Sequence, residues 1–343
     1  MERDAGSMDA GSESRWTQER INNWYGELPW LVGCNFLPST AVNDTEMWQA
    51  ETFDPETISR ELGWAREIGF NTCRVFLQYM VWKADPDGLK RRFDQFLAIA
   101  AGHGISTVPV LFDDCAFDHE RDPYPGKQDD PIPGVHNSRW VPSPGLELVA
   151  DNSARPDLEK YVRDVIGSFR EDGRIVFWDL YNEPGNSEMG NQSLPLVEAV
   201  FEWAREAGPV HPLTIAVWGG TKELRRKQLA LSDLISFHFY GTCEAMAVRI
   251  DELRELGRPV VCTEWFARTM GSNMETDLTL FHYEKIGCYC WGLVAGRTQT
   301  YYPWGSEEGA PEPELWFHDL LRANGTPYRP EEIDCIRRIT GAQ

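Results

Sequence analysis

Two glutamates stand where an apolar run gives way to polar sequence. One closes Trp178-Asp179-Leu180-Tyr181-Asn182-Glu183-Pro184, the other Cys262-Thr263-Glu264-Trp265. Carboxyl groups in pairs do a particular kind of work. Cleavage of a glycosidic bond needs one of them protonated, to assist the leaving oxygen, and the other ionised, to attack the anomeric carbon or activate water. The bland alternative is a pair of ion-paired rim residues. Which reading holds depends on whether the fold brings residues 81 positions apart (264 − 183) to one cavity.

The elements around them are legible. Short apolar runs occupy residues 30–36, 70–77, 106–112, 175–180, 213–218, 234–239, 260–263 and 288–294. They are continuous rather than alternating, as expected of parallel strands covered on both faces. Between them lie helical patterns. Asp54-Pro55 supplies an N-cap with proline in the first turn, and Ile58, Leu62, Ala65 and Ile68 mark one face up to Gly69. Phe93, Phe96, Leu97 and Ala100 repeat this before Gly102, and Leu158, Tyr161, Val162, Val165, Ile166 and Phe169 do so again. Further helices are predicted over 196–207, 222–229, 243–256, 275–286 and 312–322.

Strict strand–helix alternation through eight units predicts an α/β fold, a (β/α)8 TIM barrel in one domain. A doubly wound open sheet is disfavoured because no G-x-G-x-x-G turn follows the first run. The connection 113–156 is long, rich in Pro, Gly and Asp, and carries His136-Asn137-Ser138-Arg139-Trp140; it is expected to fold over the barrel mouth. Residues 1–15 read as a disordered tail and 16–343 as the catalytic domain. On such a barrel, functional residues gather at the C-terminal strand ends, which is where Glu183 and Glu264 fall.

Composition narrows the partners. The formal charge of −21 repels phosphate backbones and anionic lipid, so neither nucleic acid nor a membrane is expected, whereas a neutral sugar is indifferent to that field. No run reaches the roughly 20 apolar residues of a membrane helix. The fourteen Trp suit stacking on pyranose faces, and Trp140, Trp218 and Trp304 are the candidate platforms. Of the eight Cys, five (34, 73, 262, 288, 290) lie inside predicted strands, which argues for free thiols. With no secretory signal visible, this gives a cytoplasmic location as the expectation. No Cys/His spacing reads as zinc, and no cofactor is implied.

With these residues in place, the sequence resembles the clan A glycoside hydrolases, and within them the cellulase-like family 5, from about Trp30 to about Arg338. Asn182-Glu183-Pro184 looks like the clan's acid/base motif and Glu264 like its nucleophile. The resemblance implies that Arg74 supports the nucleophile, that His238 and Tyr240 lie near the catalytic centre, and that Trp291 is the floor under the cleaved sugar. Physical chemistry assigns compatible roles. Arg74 is expected as a bidentate partner that keeps Glu264 ionised, Tyr240 as a donor to the same carboxylate, Asn182 as a contact to the sugar 2-hydroxyl, and His238 as an orienter of Glu183 or a sugar hydroxyl. The chain departs from the family pattern at the end of the third strand. Phe112-Asp113-Asp114-Cys115 stands where a His is common, so either Asp113 replaces it in sugar binding or that role is absent. The expected activity is retaining hydrolysis of β-1,4-linked glucan, xylan or mannan. Three alternatives stand beside it: a non-catalytic carbohydrate-binding barrel, a transglycosylase with the same two glutamates, and a metal-dependent hydrolase using Asp113, His238 and Glu264.

Overall fold

The computed structural model describes residues 15–118 and 121–342. Eight parallel strands form one sheet: β1 (Val32–Asn35), β2 (Thr72–Phe76), β3 (Ser106–Asp113), β4 (Trp178–Asn182), β5 (Leu213–Thr214), β6 (Ile235–His238), β7 (Val260–Trp265) and β8 (Gly287–Trp291). Their spatial order is β5-β4-β3-β2-β1-β8-β7-β6. The remaining seam is closed by a parallel bridge between Val217 and Phe237, with Val217 N–H donating to the Ser236 carbonyl at 2.8 Å and His238 N–H to the Val217 carbonyl at 3.0 Å. The result is the (β/α)8 barrel.

Local sequence explains the elements. The helices Pro55–Glu67 and Pro86–Gly102 each begin with an Asp whose carboxylate accepts from the backbone three residues on, at 3.0 Å for Asp54–Thr57 and 2.9 Å for Asp85–Gly88, and each has proline in its first turn. Gly33 is required where β1 meets β2: a Cβ there would lie 1.9 Å from the Thr72 carbonyl oxygen. The helix Gln18–Gly26 closes the N-terminal end of the barrel, burying Trp16 and Ile21 against Val108, Phe177 and Tyr289.

Several expectations need correction. The segment 312–322 is not a helix; its burial follows no helical stripe, since Trp316, Phe317, His318, Asp319, Leu320 and Leu321 are buried in succession. The last helix is instead Pro330–Thr340, which packs Ile333 and Ile336 into the core. β5 is shorter than its apolar run. Of the predicted tail, residues 1–14 lie outside the described residues, while Arg15 is anchored, its Nε donating to the Ser232 carbonyl at 2.6 Å. All eight cysteines are free thiols. Among the described residues no helix is long and apolar enough to cross a membrane.

Candidate active site

Two local irregularities aim the glutamates. β4 ends at Asn182, and Glu183 then adopts φ 43°, a left-handed conformation that costs a residue with a Cβ about 1 kcal/mol or more. In β7, Phe237 pairs with Cys262 but His238 pairs with Glu264, so Thr263 is a bulge. Bulges re-aim side chains near functional sites, and this one sets Glu264 beside His238. One carboxylate oxygen from each glutamate and one ring nitrogen of His238 lie within 4.8 Å of one another. All three line a cavity of roughly 440 Å³ at the C-terminal end of the barrel, together with Asn182, Asn186, Trp218, Tyr240, Trp291 and Trp304.

The surroundings of the two carboxyl groups differ. Glu264 accepts from Arg74 Nη1 and from the Tyr240 hydroxyl, each at 2.9 Å. Among the described residues Glu183 has no Lys or Arg in contact; it accepts from Asn186 Nδ2 at 2.6 Å and is hydrogen-bonded to His238 Nδ1 at 2.8 Å. Burial pushes Glu183 up to about 7. Burial raises Glu264 as well, with Glu183 adding to the rise while His238, Arg74 and Tyr240 oppose it. Of the two, Glu183 lacks the guanidinium contact that favours an anion on Glu264. His238 is held neutral by burial, its imidazole lowered to about 4.

Arg74 is fully buried on β2 and does not face the cavity. It was expected to grip Glu264 with two nitrogens. Instead it gives Glu264 one, and divides the rest of its fork among Asp179 Oδ2 (Nε, 3.0 Å), Asn35 Oδ1 (Nη1, 2.8 Å) and Asn182 Oδ1 (Nη2, 2.6 Å). The planar guanidinium thus sets four strands in one geometry: β1, β2, β4 and β7. Asn182, with its oxygen taken by Arg74, donates from Nδ2 to Asp113 Oδ1 at 2.7 Å, leaving a second N–H for a ligand.

Asp113 does not sit where a sugar would reach it. It is buried behind the cavity wall and also accepts from Trp140 Nε1 and the Cys115 backbone, both at 2.8 Å. Its position holds Asn182 and Trp140 rather than a ligand. The set Asp113, His238 and Glu264 is likewise not assembled: the groups that meet are Glu183, His238 and Glu264, and in them His238 Nδ1 is engaged by Glu183 as a hydrogen bond. Trp140 packs edge-on against Phe76 and Trp291, with ring centroids 5.1 and 5.7 Å apart. Trp218 donates to the Pro184 carbonyl at 3.3 Å, and Trp304 is 41% exposed at the rim, 5.1 Å from the Tyr240 ring.

Sequence reasoning missed Asn186 and His318, and placed His136 only within a run expected over the barrel mouth, without a role; all three line the cavity. Asn186, three residues past Glu183, was detectable as a side chain within one turn of it. His136 and His318 lie in irregular loops 182 residues apart (318 − 136), and no local pattern joins them.

This barrel, with paired glutamates at the ends of β4 and β7 in an aromatic-lined cavity, defines a glycoside hydrolase of clan A type. The sequence profile of Cellulase (glycosyl hydrolase family 5) matches residues 65–295, well over half of the chain, and the chain belongs to that family. It is an O-glycosyl hydrolase of β-glycan type. It matches none of the curated proteins with which it was compared. Similar solved structures include a family 5, subfamily 18 protein from Streptomyces cattleya in complex with Manb1-4GlcNAc (14% identity, 90% of this chain and 80% of that one covered, TM-score 0.63). An exo-beta-1,4-mannosidase from Opitutaceae bacterium strain TAV5 is similar at 18% identity, with 91% and 60% covered and a TM-score of 0.61. The endo-beta-1,4-mannanase from Thermotoga petrophila is similar at 16% identity, with 93% and 77% covered and a TM-score of 0.59. At these identities the likeness is one of fold.

Proposed function

We propose that the protein is a retaining β-glycosidase in which Glu264 is the nucleophile and Glu183 the general acid/base. The observation that carries this reading is the asymmetry of two carboxyl groups whose nearest oxygens are within 4.8 Å: one is bound to Arg74 and Tyr240, the other is buried without a cation. Retaining enzymes hold their carboxyl groups about 5–5.5 Å apart, whereas inverting ones need about 6.5–9.5 Å to admit a water.

In the first step a Glu264 oxygen bonds to the anomeric carbon as the glycosidic C–O bond breaks, and the leaving oxygen takes the Glu183 proton. Glu183, now a carboxylate, removes a proton from water. The water oxygen attacks the same carbon and releases Glu264, so two inversions return the original configuration. Asn182 Nδ2 is placed to bind the 2-hydroxyl, a contact that strengthens as the ring gains positive charge. Trp291 offers the stacking face.

β-1,4-Linked mannosides are the substrates to try first, because proteins of similar fold carry such names. Proton NMR of the first-formed product tests the mechanism. The β anomer is expected before mutarotation, and the α anomer would refute double displacement.

A further inference from the structure

The strand order places β2 and β1 between β3 and β8. Any contact between the loops after β3 and after β8 therefore arches over the ends of β1 and β2. Such contacts are numerous. Asn137 N–H donates to the Thr298 carbonyl at 2.7 Å, and Gly309 N–H to the Pro133 carbonyl at 2.7 Å. Gln299 accepts from Gly134 N–H at 3.0 Å and donates to the Ile132 carbonyl at 2.8 Å. The loop after β1 joins the same wall, since Arg297 bonds both Glu46 at 2.8 Å and Asp130 at 2.9 Å, and Asn43 donates to Gln128 at 3.0 Å.

The wall is also filled. Behind Trp140 and Trp291, toward Asn35, Phe76 and Thr300, the void is only about 30 Å³. That is room for about one or two waters and far below a sugar ring. The opposite side, near Glu183, is lined by Trp218 and Gly219, with solvent-facing Met270 also at the cavity.

Two histidines line the cavity beside this wall. His136 Nδ1 meets the Tyr302 carbonyl at 2.7 Å and His318 Nδ1 the Phe266 carbonyl at 2.6 Å. A carbonyl only accepts, so both Nδ1 atoms carry the proton. Burial keeps both rings neutral, and each Nε2 is thus an acceptor. An acceptor pair near two glutamates suits hydroxyl donors and rejects a carboxylate.

We propose that the site takes a single neutral, non-reducing terminal sugar, closed in by the wall of the β1, β3 and β8 loops, and releases monosaccharides one at a time. This rests on the assignment above, which puts the glycone on the Glu264 and Trp291 side and the leaving group on the Glu183 side.

The test uses two probes: β-1,4-mannohexaose reduced at its reducing end, and the same molecule carrying a 4,6-O-benzylidene cap on its non-reducing terminal sugar. From the uncapped probe, monosaccharide and a five-sugar alditol are expected as the first products; di- or trisaccharide at the earliest times would overturn the proposal. Calorimetric titration of the Glu183→Gln variant gives an arm independent of turnover. The capped probe is expected to bind about tenfold or more weakly than the uncapped one, and equal affinity would overturn the closed wall. Failure to hydrolyse either the hexaose or any β-glycoside would count against the two-glutamate assignment, while the binding ratio still judges the wall.

Discussion

Glu264 and Glu183 are the same residue type in one cavity, and their neighbours divide the labour. Arg74 and Tyr240 oppose the rise that burial imposes on one, and burial with no contacting cation pushes the other up to about 7, the division of roles proposed above. Because the acid must be protonated in the first step, kcat/KM is expected to fall as pH rises through about 7, and that limb should vanish in Glu183→Gln assayed on an activated aryl glycoside. The same shift has a stability consequence. A carboxyl whose folded pKa lies above its unfolded value of about 4.3 is best accommodated below that pH, and the advantage is lost as pH rises through about 7. Glu183→Gln should therefore be more stable than the native protein at pH 8, on the order of 2–3 kcal/mol, with the gain absent at pH 4; urea denaturation at the two pH values reads this. Arg74→Met leaves Asp179 and Glu264 buried without their cation. It is expected to cost about 3–5 kcal/mol of stability and to abolish turnover, with chemical denaturation and an aryl-glycoside assay as the checks. The two glutamates were legible because each ends an apolar run. The fork of Arg74 was not, since its four partners lie on other strands and only their assembly shows that Glu264 receives a single nitrogen.

At the scale of the element, the strands and most helices follow from continuous apolar runs, Asp-Pro starts and 3.6-residue stripes. What escaped were the features that break periodicity. The Thr263 bulge is invisible in Cys262-Thr263-Glu264, yet it sets which residue faces His238. The segment 312–322 contains enough apolar residues to suggest a helix, but it buries the consecutive residues Trp316 to Leu321 rather than one face. The close approach of β1 and β2 gives a test of strand geometry. Gly33→Ala would force a Cβ to within 1.9 Å of the Thr72 carbonyl. The strands must part, at a cost of about 3 kcal/mol, and Asn35, two residues further on and bonded to Arg74, must move with them. Denaturant midpoint and kcat/KM should fall together; a variant with native stability and activity would show that β1 yields freely.

Across the whole molecule, the barrel gathers one residue from each of several strands at a single end, and the loops decide what reaches them. The fold itself was readable from alternation alone. The wall was not, because it depends on loops after β1, β3 and β8 meeting across the barrel mouth, and irregular segments carry no period that announces a partner. The net charge of −21 and the neutral acceptors His136 and His318 agree with an uncharged glycan as the ligand. The proposed double displacement turns on a covalent bond to Glu264. Incubation with a 2-deoxy-2-fluoro-β-mannosyl fluoride, which slows release of the intermediate, followed by peptide mass spectrometry, looks for that bond directly. One fluorosugar per chain is expected, attached to the peptide containing Glu264 and absent in Glu264→Ala; a label on Glu183, or turnover of the fluoride with Glu264→Ala undiminished, would refute the double displacement.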